Sequence, residues 1–316
     1  PDTPDGFTLT DPRITESSGL AASRAHQHIY WTHNDSDDGP YVYGVDGRTG
    51  RTVATVTLRG ISPRDVEAIS VGPDGNVYVG DIGDNFHGKW PEVWIYRFPE
   101  PERLRKNITV TPTRYTVRYA DGPRDAESLM VHPKSGRVYI VSKSDKGRGA
   151  IYAGPKELSP SGVNTFSRLA KTDVFATDGA FSPDGTRLVL RSYFSARMYE
   201  WKRGGKPPEA VGTVSVPFQR QGESVTFTRD GRTLMLGSEG ENSKVEPVAL
   251  RGRQRPDNVR RAEPDSDSDS SKGEGTSSGA ATGNEGTDGR LILAGVTFAV
   301  ALGLWLTLRR VFRRRD

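Results

Sequence analysis

Three glutamates stand at matching points of a repeated block. Glu67, Glu127 and Glu223 lie at the heads of VEAISVGPDGNVYVGDIGDN (66–85), ESLMVHPKSGRVYIVSKSDKG (127–147) and ESVTFTRDGRTLMLGSEGEN (223–242). A fourth block, TDGAFSPDGTRLVLRSYFS (177–195), brings Asp178 to the same end. Carboxylates gathered this way can hold Ca²⁺ or Mg²⁺, hard cations that take oxygen ligands. Glu67, Glu127, Glu223 and Asp81 of the DIGDN loop are the candidate metal ligands. Arg64, Arg124 and Arg191 interleave with the acids, which gives a second reading: arginine–carboxylate pairs that knit neighbouring blocks together. The recurrence of Arg-Asp-x-Glu at 64–67 and 124–127 favours the second, because a repeated feature ordinarily serves the repeat.

Other chemistries find less support. The chain has no cysteine, which removes disulfides, thiolate catalysis and cysteine-ligated metals. Asp35-Ser36-Asp37-Asp38-Gly39 lacks the alternating spacing and distal glutamate of a calcium-binding helix–loop–helix. His26 and His28 share a strand face without a third ligand nearby, too few for zinc. No Gly-x-Ser-x-Gly and no glycine-rich phosphate loop occurs.

The elements that must position these acids are short strands. HIYWTHN, YVYGVD, TVATVTL, NVYVGDI, VWIYRF and RLVLRS alternate aromatic and β-branched residues between Gly, Asp, Asn and Pro turns. Tyr30, Trp31, Trp94 and Tyr96 read as packing residues. Each block is a strand, a tight turn around Pro-Asp-Gly or its equivalent, and a more apolar strand. With a divergent first copy at 17–39, Ser18, Glu67, Glu127, Thr177 and Glu223 are equivalent, at spacings of 49, 60, 50 and 46 residues. A four-stranded unit of this period is a propeller blade, so the fold class is all-β, a β-propeller. Five blades account for the domain; six is the alternative, since the 60-residue unit has room for an extra element. Phe7–Thr10 precedes Pro12-Arg13 as Thr55–Leu58 precedes Pro63-Arg64. It is therefore expected to supply the outer strand of the last blade and close the ring.

GAFSPDGTRLVLRS resembles the WD-repeat-like, TolB-like blades of bacterial exported proteins. The order SSGLAAS, YWTHNDSDDG, RDVEAISVGPDG, VGDIGDN, GPRDAESLMVHP is similar to membrane-anchored propellers of actinobacteria. That resemblance covers about residues 7–250 and implies architecture and an exported location. It implies no activity.

The propeller is expected over residues 1–253. Residues 254–290 are nearly devoid of apolar side chains larger than Ala and read as a disordered linker with a reach of roughly 33 Å. Leu291–Leu308 is an uncharged run long enough, at about 1.5 Å per residue, to cross a bilayer core as one transmembrane helix. Residues 309–316 hold five Arg and one Asp, which equals the formal net charge of +4 of the whole chain. The remainder is neutral, which argues against nucleic acid as a partner. The arginine cluster marks the cytoplasmic side, so the propeller faces outward at the plasma membrane, as after removal of a signal peptide. Gly295, Ala299 and Gly303 on one helix face allow a homodimer through the span, the less favoured state. The leading functional reading is a cell-surface binding module for an extracellular protein or small ligand. The alternative is a metal-dependent hydrolase, phytase-like, esterase-like or lactonase-like. Protease added to intact cells should remove the propeller and leave a short tail fragment; full protection of residues 1–253 would overturn the topology.

Overall fold

The structure, a computed structural model, describes residues 3–263 apart from 36–37, 87, 144–148 and 203. The expected span at 291–308 and most of the linker lie outside the described residues. No helix among those described is long and apolar enough to cross a membrane. Residues 1–266 form one compact unit with its own core, as expected of a domain able to fold by itself.

A two-residue strand, β1 (Phe7–Thr8), is followed by antiparallel sheets. The first contains β2 (Ser17–Ala22), β3 (Ile29–Asn34), β4 (Tyr41–Asp46) and β5 (Thr52–Leu58). Next come β6 (Val66–Val71), β7 (Asn76–Asp81), β8 (Val93–Pro99), β9 (Ile108–Val110) and β10 (Thr113–Tyr119). They are followed by β11 (Ala126–Val131), β12 (Val138–Ser142), β13 (Gly149–Ala153) and β14 (Val163–Thr172). The last two sets are β15 (Asp178–Phe181), β16 (Arg187–Arg191), β17 (Ala196–Glu200) and β18 (Glu209–Val214), then β19 (Gly222–Phe227), β20 (Thr233–Ser238) and β21 (Lys244–Ala249). Strand β10 pairs in parallel with β14, which joins two sets into one eight-stranded sheet. Strand β9 pairs in parallel with β5 and extends the first sheet to five strands. The surplus length of the 60-residue unit goes into that strand.

The first strands pack side by side in a closed cycle: β19 on β2, β2 on β6, β6 on β11, β11 on β15, and β15 on β19. Sheets arranged radially about one axis in this way make a β-propeller. Burial follows position. Strands β11 and β19 are buried at every residue, whereas β14 and β18 at the rim keep an exposed face. The cores lie between adjacent sheets: Val42, Val56 and Leu58 pack with Ile69, Val77 and Phe98. The repeated turn behaves as its sequence requires. Gly75 takes φ +72°, a region that side chains disfavour, while the Asp74 carboxylate accepts from the side-chain amide of Asn76 at 2.6 Å.

The N-terminal segment closes the ring as its sequence suggests. Phe7 lies opposite Val245 and Thr8 opposite Lys244, and the Leu9 amide donates to the Ser243 carbonyl at 2.9 Å. Phe7, Leu9 and Ile14 join Tyr30, Tyr43, Met235 and Val245 in one core cluster, so the segment bridges the first and last sheets. At the other end the chain continues past residue 253 as regular structure. Residues 257–262 form helix α1 (Asp257–Ala262). Fully buried Arg187 reaches its Asp257 carboxylate at 2.9 Å, and Val259 is buried. Deleting residues 1–10 should remove Phe7 and Leu9 from that cluster and cost several kcal/mol, at about 2–5 kcal/mol per large core side chain. An unchanged melting temperature would reject this role.

Candidate functional site: the acidic mouth of the channel

The glutamates owe their placement to a repeated irregularity. Pairing between first and second strands skips one residue at Ser17/Gly19, Val66/Ala68, Ala126/Ser128 and Gly222/Ser224. The skipped residues are Ser18, Glu67, Glu127 and Glu223. A β-bulge leaves its extra residue unpaired and re-aims its side chain, here at the head of the channel. Thr177 holds the equivalent place ahead of β15; its amide donates to the Arg191 carbonyl and its hydroxyl to the Gly222 carbonyl. Glu67, Glu127 and Glu223 are only 3%, 2% and 6% exposed, so their charges sit largely out of water.

Each glutamate meets different company. Lys143 donates to Glu127 at 2.5 Å, and its ammonium faces the rings of Phe175 and Tyr193. The Ser18 hydroxyl donates to Glu67 at 3.3 Å. Glu223 makes no hydrogen bond to a described residue, and its field is shared with Lys143, Glu239, Glu127 and Asp35. Beside Glu67, the carboxylates of Asp35 and Asp65 complete a group whose ligand oxygens all lie within 4.8 Å of one another. Gly83 permits this approach: a Cβ there would come within 2.7 Å of the Asp65 carboxylate and of Glu67 Oε1. Asn85 donates to Asp65 at 2.7 Å and steadies it.

Burial pushes Glu67 well above the usual carboxylate range, and the nearby Asp35, Glu127 and Asp65 push it further. Glu127 is raised by burial to about 7 despite the opposing Lys143 ammonium. Burial likewise raises Glu223 and Asp178; for Asp178 the Val225 and Gly179 amides, which donate to its two oxygens, pull the other way.

Among the described residues, neither Arg64 nor Arg124 pairs with a glutamate of the mouth. The Arg64 guanidinium lies 3.6 Å from the Trp94 ring centroid and 4.1 Å from that of Trp90, and donates to the Glu92 carbonyl. Arg124 stacks on Tyr152 and Tyr119 and pairs with Asp121 at 2.6 Å. Aromatic faces with adjacent acceptors hold a guanidinium well, and both arginines turn away from the axis. Arg191 alone stays inside. Fully buried, it donates to the carbonyls of Ser224 and Gly237 and to Gln219, with Glu223 and Asp178 supplying favourable charge. Asp81 lies outside the Asp35–Asp65–Glu67 group and accepts the amides of Arg64 and Asp65 and the Tyr96 hydroxyl.

From sequence, the 34–39 loop and Lys143 are expected on the same face as the glutamates, but Asp35 and Asp65 are not singled out as ligands. Asp65 was visible inside Arg-Asp-x-Glu. Asp35 and Lys143 each follow a second strand directly, so the repeat itself marks both positions as belonging to the mouth.

No family model matches the chain, and no curated protein sequence does. Solved structures do. A chain of a mitotic checkpoint complex aligns over 74% of this chain at 10% identity and TM-score 0.40, with 63% of that chain covered, under two thirds of its length. A candidate 6-phosphogluconolactonase from Bacteroides uniformis aligns over 78% of this chain and 70% of its own at 14% identity and TM-score 0.41. A candidate oxidoreductase of glucose dehydrogenase type from Thermus thermophilus aligns over 77% and 86% at 14% identity and TM-score 0.41. These are distant likenesses of fold, and the site is argued from its own residues.

The raised carboxylates fix a pH dependence. In the unfolded chain Glu127 releases its proton near its ordinary 4.5, in the folded protein near 7. Between those values the folded state binds more protons, so stability falls as pH rises. With chelator present, the melting temperature of residues 1–266 should be several degrees higher near pH 5 than near pH 8, and Glu127→Gln should flatten the profile. A melting temperature that climbs through this window would contradict the assignment.

Proposed function

We propose that the chain is a five-bladed β-propeller held on the outer face of the plasma membrane, with a divalent cation bound at its acidic mouth. The cation is calcium, and the mouth serves to bind an extracellular protein or small ligand. The observation that carries this reading is the convergence of Asp35, Asp65 and Glu67 beside Glu127 and Glu223, while Arg64 and Arg124 turn outward. Glu67 is buried with a serine hydroxyl as its hydrogen-bond donor and with the Asp35 and Asp65 carboxylates close by, a crowding that a proton or a cation relieves, and a set made only of oxygen donors suits calcium. The blade number is supported by the closed cycle of first strands, with β9 as an appendage of the first blade. The membrane location rests on Leu291–Leu308 and the arginines after it, together with the resemblance to anchored actinobacterial propellers.

A hydrolytic role is the second reading, and one observation favours it. Glu127 titrates near 7 beside the cation group, where a carboxylate can act as general base at neutral pH. Turnover of phosphate monoesters, lactones or carboxylic esters that requires Glu127 would select it.

Calcium should raise the melting temperature of residues 1–266 by linkage, by about 2.7 kcal/mol of stability at a hundredfold excess over the dissociation constant. Asp65→Asn with Glu67→Gln should abolish the rise, and Gly83→Ala should weaken it by displacing both carboxylates. No calcium response at pH 7.5 would sink the metal reading.

A further inference from the structure

The loop between β7 and β8 is fastened at both ends, and one end is the acidic group. At its start the Gly83 amide donates to the Asp65 carbonyl at 3.1 Å, and the Asn85 side-chain amide donates to the Asp65 carboxylate at 2.7 Å. The Asp84 amide reaches the Asp125 carboxylate at 2.7 Å. Fully buried Asp84 then turns the loop back on itself. Its carboxylate accepts the Phe86 amide at 3.2 Å and the Trp90 amide at 2.7 Å. At the far end the Trp90 ring closes on Arg64, whose guanidinium also faces Trp94 and donates to the Glu92 carbonyl at 2.9 Å. Arg64 directly precedes Asp65, so the contacts run in a closed circuit from Asp65 through Asn85, Asp84 and Trp90 back to its neighbour. Arg124, at the matching place in the second motif, takes both of its rings from strands, Tyr119 of β10 and Tyr152 of β13.

We infer that Arg64 and Trp90 are positioning residues for the cation group, a clamp that holds the loop so that Asn85 keeps the Asp65 carboxylate beside Glu67 and Asp35. The inference rests on the calcium reading and deepens it, by assigning control of affinity to side chains outside the three acids. A carboxylate free to swing would move away from two like charges; one held by an amide on a fastened loop stays where a cation can use it. Outer partners that orient metal ligands ordinarily change affinity by about ten- to a hundredfold. The clamp needs a flat cation between two rings, which guanidinium supplies and ammonium does not.

Calcium alone is the first probe, titrated calorimetrically into residues 1–266. Arg64→Met and Trp90→Leu should each weaken calcium at least about tenfold. Trp90→Phe, which keeps a ring, should stay close to the parent protein, and Arg124→Met should not weaken calcium. The second readout needs no ion. With chelator present, hydrogen exchange at the Gly83, Asp84 and Asn85 amides should quicken in Arg64→Met and Trp90→Leu but not in Arg124→Met. A parent protein that binds no calcium would reject the calcium reading, and the exchange measurement would still decide whether the clamp exists. Unchanged exchange at those three amides, unchanged calcium affinity in both variants, or an equal loss in Arg124→Met would each overturn the inference.

Discussion

Packing the first strands around one narrow axis is the constraint from which the rest of this molecule follows. Residues at the heads of those strands have nowhere to go but towards one another. The bulges decide which residue is thrown inward, and the sequence puts glutamate there three times. Two charges 4.8 Å apart, the outer limit of the Asp35–Asp65–Glu67 group, repel by roughly 3 kcal/mol at an effective dielectric near 20. Desolvation adds to this for the buried members. Protonation relieves the strain at low pH, and a cation bound there would relieve it at neutral pH.

The same constraint explains how the motif Arg-Asp-x-Glu divides its labour. Its glutamate points to the axis. Its aspartate ties loops at the mouth: Asp65 holds Asn85, and Asp125 accepts the Asp84 amide at 2.7 Å across to the neighbouring sheet. Its arginine covers aromatic rings near the rim. A repeat can thus be structural in two of its three polar residues and still deliver the third to a site. Closure by β1 and docking of α1 serve the site indirectly, because sheets free to splay would let the acids separate. The buried Arg187–Asp257 contact and the Phe7–Leu9–Ile14 wedge each fasten residues far apart in sequence.

Much of this architecture was legible in the chain. Alternation, Pro-Asp-Gly turns and a period near fifty residues identify the strands and the ring. The relation between Phe7–Thr10 and Thr55–Leu58 identifies the closing strand. What could not be read was direction. Arg64 and Glu67 are close in sequence, but Trp90 and Trp94 compete for the guanidinium, and only the folded hairpin brings them over it. Asp35 was dismissed along with a calcium loop whose spacing it failed. Its neighbours, Asp65 and Glu67, come from the next sheet, a relation that no local spacing encodes. Helix α1 escaped notice because six residues with one buried side chain, Val259, carry almost no periodic signal.

The inequality of equivalent positions is what separates a site from a scaffold. A purely structural polar ring would repeat the same partner around the axis. Here Ser18 and Thr177 are neutral, Glu127 holds a lysine, and Glu223 lies on the side of Arg191. Among the described residues, the sector between the first and second sheets gathers three acids, Asp35, Asp65 and Glu67, and Glu67 takes its side-chain hydrogen bond from the Ser18 hydroxyl. Lys143 acts on Glu67 only as the last of its electrostatic influences, after three acids that oppose it. Negative potential therefore concentrates on one side of the axis rather than spreading around it. An ion drawn to the mouth would settle off-centre, against Asp35, Asp65 and Glu67. The opposite side, with Phe175 and Tyr193 around Lys143, would remain open to whatever the ion helps to bind.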